Sequence, residues 1–434
     1  MQNQELHKQV NLLTEENKRL RVAVEELSVL NDIATAITST QSLEQIVDLI
    51  VQKCVKHLKV EQGAVMLLDE KDRDNPFRTM VRKQDTVAEV LPYHLDTQIT
   101  GWMIKNKAPL LINDFQNDDR FNWLSQEKLP IQTLLSVPML LKAKMIGLIG
   151  VFNKHLESGF TKGDQRLLSI IAAQSAQVIE NARLYKEEQD LLRLQEEMRL
   201  AKDIQVNLLP NVAPRVEGYD IAGRSIPAKE VGGDYFDYMQ IGENSCALCL
   251  GDVSGKGMPA ALLMANLQAT LRGQISHNIP CSSCIARSNS LLYQSTDPKK
   301  FATLFYGILD YAKHELCYCN AGHDNPILFV PGKEPQRLGV GGIVLGFVPE
   351  FTFSEAKVAL EPGSVMVLYS DGITEAMNEQ EEELGEERLM TVMMQNLAKP
   401  AEKIMDNVLE AINQHIGQVP QMDDMTMIVI KRLS

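Results

Sequence analysis

No stretch of this sequence holds the roughly 18 consecutive apolar residues that a membrane-spanning helix needs. The longest candidates, "MIGLIGVF" and "MTMIVI", are strand-sized. Positive charge is also scarce: 43 Lys and Arg stand against 57 Asp and Glu, a formal net charge of −14. That balance opposes nucleic acid or an anionic membrane as the main partner. The opening residues "MQNQELHKQ" are polar, so no secretory leader is expected and the cytoplasm is the expected location. Only seven cysteines occur, and the pairs Cys246/Cys249, Cys281/Cys284 and Cys317/Cys319 raise the question of zinc. In the strand-like "SCALCLGD", positions three apart face opposite sides, so buried thiols are expected instead.

What is present is apolar material, 44% of 434 residues, enough for two cores and connecting helices. The fold class expected is a multidomain α/β chain. Over residues 1–31, Leu6, Leu13, Leu20 and Leu27 recur every seven residues, with Asn3, Val10, Asn17, Val24 and Asn31 at the other seam position. This is the pattern of a parallel two-stranded coiled coil in which buried Asn sets register, and it predicts a homodimer. Glu16 and Arg21 fall where they can pair between chains. The competing reading is one amphipathic helix packed on its own domain.

Residues 32–185 read as one α/β domain: a helix "SLEQIVDLIVQKCVKHL", strands "QGAVMLLDE" and "TMVRK", a middle section, a hairpin and a long helix. The run "SVPMLLKAKMIGLIGVFNK" followed by "FTKGDQRLLSIIAAQSAQVIENARLY" resembles the C-terminal half of a GAF domain. The resemblance implies a sensor, with a small-molecule or protein signal at a ligand pocket or dimer surface. Asn153, Lys154, Phe160 and Asp164 have the spacing of a motif in cyclic-nucleotide-binding GAF domains, although Gln165 stands where that motif has Glu. The same residues read equally as a hairpin-to-helix junction capped by Thr161. A second heptad run follows, with Leu184, Leu191, Met198 and Gln205 on one seam position and Glu187, Leu194, Ala201 and Leu208 on the other. Pro210 stops it. Residues 186–210 are expected to be a transmission helix.

From about residue 217 the pattern changes to short strands ending in Gly-Asp or Asp-Gly. Four segments carry the chemistry: "EVGGDYFDY", "CALCLGDVSGKGMPAALL", "SVMVLYSDGITEA" and "QMDDMTMIVI". Each brings an acid to the end of an apolar strand, at Asp234, Asp252, Asp371 and Asp423. One such acid is usually a cap or turn former, but four converging carboxylates repel one another unless cations sit between them. Hard oxygen donors select Mg²⁺ or Mn²⁺ and suit a two-metal site that activates water. No Ser/His/Asp or Cys/His set suggests a nucleophilic side chain.

In this order, with "FATLFYGILD", "CNAGHDNP" and "GGIVLG" between them, these motifs closely resemble the protein phosphatase 2C (PPM) family. The branch is that of bacterial stress-response and sporulation serine phosphatases. The resemblance implies an α+β domain over 211–434, a β-sandwich flanked by helices, with two Mn²⁺ or Mg²⁺ ions at one end. By motif, Asp252 would bridge the metals and the Val253 carbonyl would bind one. Asp371 and Asp423 would ligate directly, and Asp234 directly or through water. Glu375 lies where some members place an acid for a third metal, and it equally reads as a cap.

The implied reaction is in-line hydrolysis of phosphoserine or phosphothreonine without a phosphoenzyme, on a small anti-sigma-factor antagonist of the STAS type. The "GKGMPAALL" helix would be a regulatory element. Two departures leave gaps. Ser254 replaces a family histidine, leaving His323 as a candidate acid or a structural residue, and only Lys229 stands near the place of the phosphate-binding arginine. Alternatives are a catalytically dead dimeric scaffold, a diguanylate cyclase suggested by "GGDYF" but lacking its Glu, and a calcium module, for which no twelve-residue acidic loop exists. Asp423 is expected to face the metals, and its neighbour Asp424 to hold the turn by hydrogen bonds.

Overall fold

The computed structural model describes residues 7–17, 20, 24, 28, 42–68, 77–84, 97–115, 117–118, 120–121, 131–156, 158–275, 279–297 and 299–433. Residues 7–17 are helical, and Val10, Leu13, Leu20 and Val24 of the heptad seam are solvent-exposed in the single chain. Asn3, Leu6, Leu27 and Asn31 of that seam lie outside the described residues. The chain divides into two compact units, 1–192 and 193–434.

In the first unit, helix α1 (Leu43–Leu58) starts where Ser42 and Gln45 form a reciprocal capping box and ends at Lys59 in the left-handed conformation. Five strands follow: β1 (Val60–Leu68), β2 (Phe77–Gln84), β3 (Leu110–Ile112), β4 (Leu134–Leu141) and β5 (Lys144–Lys154), with helix α2 (Thr97–Asn106) between β2 and β3. They form an antiparallel sheet in the order β2-β1-β5-β4-β3. The β4–β5 hairpin turns at Lys142 and Ala143, both at positive φ (47° and 68°), as the "KAK" between two apolar runs suggests.

One sheet face packs Val65, Val137 and Ile149 against Val47, Val51 and Cys54 of α1 and against Leu168, Ile171 and Ala172. Those last three begin helix α3 (Lys162–Leu208), 47 residues without a break. The opposite face packs Met66, Leu134, Leu148 and Phe152 with Ile99 and Met103 of α2.

The residues of the cyclic-nucleotide motif are engaged locally. The Asn153 side-chain oxygen accepts from the Gln132 and Thr133 amides, and its amide donates to Glu61. Lys154 pairs with Asp164, which also accepts from Thr161 at the start of α3. This geometry matches the junction reading.

The second unit is a sandwich of two sheets. Strands β6 (Tyr219–Ile226), β7 (Tyr235–Gln240) and β8 (Ser245–Val253) lead into helices α4 (Met258–Ile275) and α5 (Cys281–Ser295). Then come β9 (Ala302–Asp310), β10 (Glu315–Ala321), β11 (Ile327–Phe329), β12 (Gln336–Arg337), β13 (Gly341–Gly342), β14 (Ala356–Ala359) and β15 (Val365–Tyr369). Helices α6 (Asp371–Thr374), α7 (Gly385–Asn396) and α8 (Ala401–Ile416) precede β16 (Met425–Arg432). One sheet has the order β13-β10-β9-β8-β7 with β14 beside β10, and the other β12-β11-β15-β16-β6.

Leu248, Leu250 and Phe305 of the first sheet meet Met366, Leu368, Ile428 and Ile430 of the second in the middle. Helices α4 and α5 cover the outer face of the first sheet, and α7 and α8 that of the second. Strands covered on both faces read as continuous apolar runs, which explains "MTMIVI": Ile428 and Ile430 point inward, Met425, Met427 and Val429 toward α8. All seven cysteines are free thiols, six of them buried.

Helix α4 is fastened at its C-terminal end by a fork: Arg272 Nε lies 2.8 Å from Asp237 Oδ2 and a second nitrogen 3.2 Å from Oδ1. Asp237 is fully buried on β7 and also accepts from the Tyr235 hydroxyl. Truncating the arginine leaves a buried carboxylate short of its cation. Arg272→Ala should lower stability by about 2–3 kcal/mol, read as a shifted urea midpoint, and Arg272→Lys should recover only part of it.

Candidate metal centre

Strand pairing delivers the acids. Asp252 is the penultimate residue of β8, opposite Thr303 of β9, Asp371 opens the short α6 one residue beyond β15, and Asp423 immediately precedes the Asp424 that leads into β16. Because β15 pairs with β16, the Asp371 and Asp423 segments lie side by side. Burial, joined by the charges of Asp371, Asp423 and Asp424, pushes the Asp252 carboxyl up to about 7. Burial and then Asp423 raise Asp371 as well. Asp234, 4% exposed, is driven well above the carboxylate range by burial and by Asp252, and its Oδ2 accepts from the Ser370 hydroxyl at 2.8 Å.

The neighbouring acids at 423 and 424 separate. Asp424 is buried and spends its carboxylate on backbone amides: Ala228 at 2.8 Å on Oδ1, and Gly233 at 2.6 Å on Oδ2. It thereby fastens the 228–234 loop that carries Asp234. The string "GGDYF" is part of this fastening rather than a cyclase signature: a Cβ on Gly232 would stand 2.3 Å from Asp424 Oδ2. Gly372 is equally constrained, since its Cβ would lie 2.1 Å from the Asp424 carbonyl oxygen. Asp423 instead projects to the half-exposed rim, where its Oδ2 meets Lys256 Nζ at 2.7 Å.

Glu375 is exposed and caps α6 through its amide to the Asp371 carbonyl at 2.7 Å, and burial and Asp371 raise its carboxyl. The Val253 carbonyl lies beside Gly233, whose Cβ would stand 3.1 Å away. Ser254 is bound to Phe301 by its amide and by its side-chain oxygen. His323 is buried, with Nδ1 2.9 Å from the Thr303 hydroxyl, and burial pushes its imidazole down to about 4. Through Thr303 it is linked to the Asp252 backbone. Lys229 is exposed on the 228–234 loop.

Four residues escaped the sequence reading. Ser370 grips Asp234; its only signal was adjacency to Asp371. Lys256 faces the rim, between two glycines. Asp324, the residue after His323, is pushed up to about 6 by burial and by the charges of Asp371, Glu375 and Glu386. Gln205, buried near the end of α3, clasps Gly232 by both its amide and its carbonyl, at 3.0 and 2.7 Å. By its heptad position alone it is a seam residue.

The donor chemistry, hard carboxylate oxygens raising one another's pKa, fits Mg²⁺ or Mn²⁺. As placed, no three His, Cys, Asp or Glu side chains among the described residues close on a common point. Asp424 is turned to amides, and the cation at Asp423 is an ammonium.

A carboxyl whose folded pKa is raised stabilises the fold below its unfolded value near 4 and loses that contribution as pH rises through the folded value, here about 7 for Asp252. In chelator, thermal stability should therefore fall between about pH 4 and 7, and Asp252→Asn should flatten that slope and raise the pH 7 midpoint by a few degrees. Mn²⁺ should stabilise the wild type and not the variant.

A family model described as stage II sporulation protein E matches residues 242–433, and a GAF domain model matches residues 40–180. Protein IcfG of Synechocystis sp. is 29% identical over 263 residues, which cover 54% of this chain and 41% of IcfG. Phosphoserine phosphatase RsbU of Bacillus subtilis is 30% identical over 254 residues, 57% of this chain and 75% of RsbU. The chain thus spans less than half of the first relative and three quarters of the second. Among solved structures, the SiaA PP2C domain of Pseudomonas aeruginosa aligns with a TM-score of 0.49 at 20% identity, covering 56% of this chain and 98% of that one.

Proposed function

We propose, for a chain that belongs to the SpoIIE family of PP2C-type serine phosphatases and carries a GAF domain, that it hydrolyses phosphoserine or phosphothreonine on a protein substrate under control of its N-terminal half. The observation that carries this reading is the approach of Asp252, Asp371 and Asp423 from three separate segments: the β15–β16 pairing sets the latter two side by side, and the charges of both add to the burial that raises Asp252. Two Mn²⁺ or Mg²⁺ ions would be held by Asp252 as the shared ligand, by Asp371 and Asp423, by the Val253 carbonyl and by Asp234. Glu375 is the donor available to a third. When bound, such ions activate water and offset the charge of the phosphoryl group.

The chain's own residues supply the positioning. Ser370 orients Asp234, Asp424 holds the loop beneath it, and Thr303 ties the Asp252 backbone to His323. The substrate in this reading is a small STAS-type antagonist of an anti-sigma factor, in a partner-switching circuit in the cytoplasm. Similarity to a protein named phosphoserine phosphatase RsbU supports the phosphoserine chemistry.

The working division is a coiled coil over 1–31, a GAF sensor over 32–185, a transmission helix over 186–210 and the phosphatase over 211–434. A homodimer forms through the coiled coils and the GAF domain, and a small-molecule or protein signal acts at the latter. The exposure of Val10, Leu13, Leu20 and Val24 on one heptad seam supports a second copy as their cover. Replacing Leu13 and Leu20 together by Asp should lower the sedimentation mass from dimer to monomer.

Phosphate release from a phosphorylated antagonist should require Mn²⁺ or Mg²⁺ and stop with chelator. Asp371→Asn and Asp423→Asn should each reduce it at least about a hundredfold. Asp424→Asn should retain Mn²⁺ binding by calorimetry and lose less activity. Turnover that survives both Asp252→Asn and Asp371→Asn would sink the metal mechanism.

A further inference from the structure

One cation already stands among the carboxylates. Lys256 lies four residues after Asp252, between Gly255 and Gly257, whose φ values of +107° and +73° favour glycine. Its Nζ donates to Asp423 Oδ2 at 2.7 Å and to the Met422 carbonyl at 2.9 Å. The ammonium thus stands directly against the Asp423 carboxylate. Yet the side chain is 51% exposed and Asp423 39% exposed, so solvent weakens the pair and leaves it exchangeable. A divalent ion at Asp423 would take the same oxygens and repel the ammonium.

A phosphomonoester brings close to two negative charges to a rim already crowded with carboxylates. It needs a cation that is not itself a metal ligand. Lysine suits this role, as a flexible four-carbon stem carrying a point charge with three donors. The loop ends that carry Lys256 are themselves fixed: the Ser254 amide is bonded to Phe301, Lys300 donates to the Ser254 carbonyl at 3.4 Å, and α4 begins at Met258. The ammonium can therefore change partners while its backbone stays beside the basin.

We propose that Lys256 binds the substrate's phosphoryl group, and that Asp423 holds this lysine in reserve until a divalent ion takes the carboxylate. The ligand rests on the phosphatase reading; the exchange at Asp423 rests on the contact itself. Metal loading and substrate capture are thereby coupled, because the ion that occupies Asp423 also releases the phosphate-binding side chain.

The test uses full-length protein and calorimetry without substrate, titrating Mn²⁺ first and then orthophosphate into the loaded protein. Lys256→Gln should bind Mn²⁺ roughly threefold or more tightly, since a competitor is gone, and orthophosphate roughly tenfold or more weakly. Lys256→Arg should restore most of the phosphate affinity. In turnover of an aryl phosphate, Lys256→Gln should raise KM more than it lowers kcat.

Unchanged or weaker Mn²⁺ binding in Lys256→Gln overturns the reserve contact, and unchanged orthophosphate binding overturns the phosphoryl role. A wild-type protein that binds Mn²⁺ but dephosphorylates nothing would refute the function proposed above. The orthophosphate titration would still decide what Lys256 does.

Discussion

Everything at the open end of the second unit follows from mutual repulsion among carboxylates that strand pairing forces together. The β8–β9 and β15–β16 ladders fix where Asp252, Asp371 and Asp423 emerge, and the sandwich core holds those ladders in place. The acids cannot relax apart without unpicking two sheets. Their charge must be met by protonation, by an ammonium or by metal ions, and the raised pKa of Asp252 together with the Lys256 contact are two of those answers.

Behind the acids lies a layer whose work is mechanical. Asp424 gives up its charge to amides of the 228–234 loop, Ser370 bridges Asp234 and the Asp424 carbonyl, and Gln205 clasps Gly232. Each contact joins segments distant in sequence, so the α3 terminus, the start of β16 and the Ser370 segment before α6 all bear on the loop that carries Asp234. The glycines at 232 and 372 permit the close approaches, where a methyl group would collide with Asp424. In the first unit the same economy appears at the β5–α3 junction, where Lys154, Asp164 and Thr161 tie hairpin to helix.

Much of this was legible beforehand. Short apolar runs with an acid at one end, most of them in Gly-Asp or Asp-Gly, pointed to Asp234, Asp252, Asp371 and Asp423 as candidates. The seven-residue repeats marked the helices, and "KAK" marked a hairpin. What escaped were residues whose role lies in a partner far along the chain. Gln205 looked like a seam position because local periodicity describes a helix face and not what that face touches, and its partner lies 27 residues away. Ser370 and Lys256 carry no pattern of their own.

The amino-acid order alone determined the elements and the identity of the acids, because hydrophobic period and glycine placement act over a few residues. Tertiary structure decided which acid does what. In "QMDDMTMIVI" the two aspartates are chemically equal, and the strand direction could only say that they diverge. Packing of the 228–234 loop beneath Asp424 made one a fastening, and exposure of Asp423 left the other on the rim, paired with Lys256. The physical reason is that a carboxylate's role is set by which donors surround it, and those donors come from segments that only folding brings within hydrogen-bond reach.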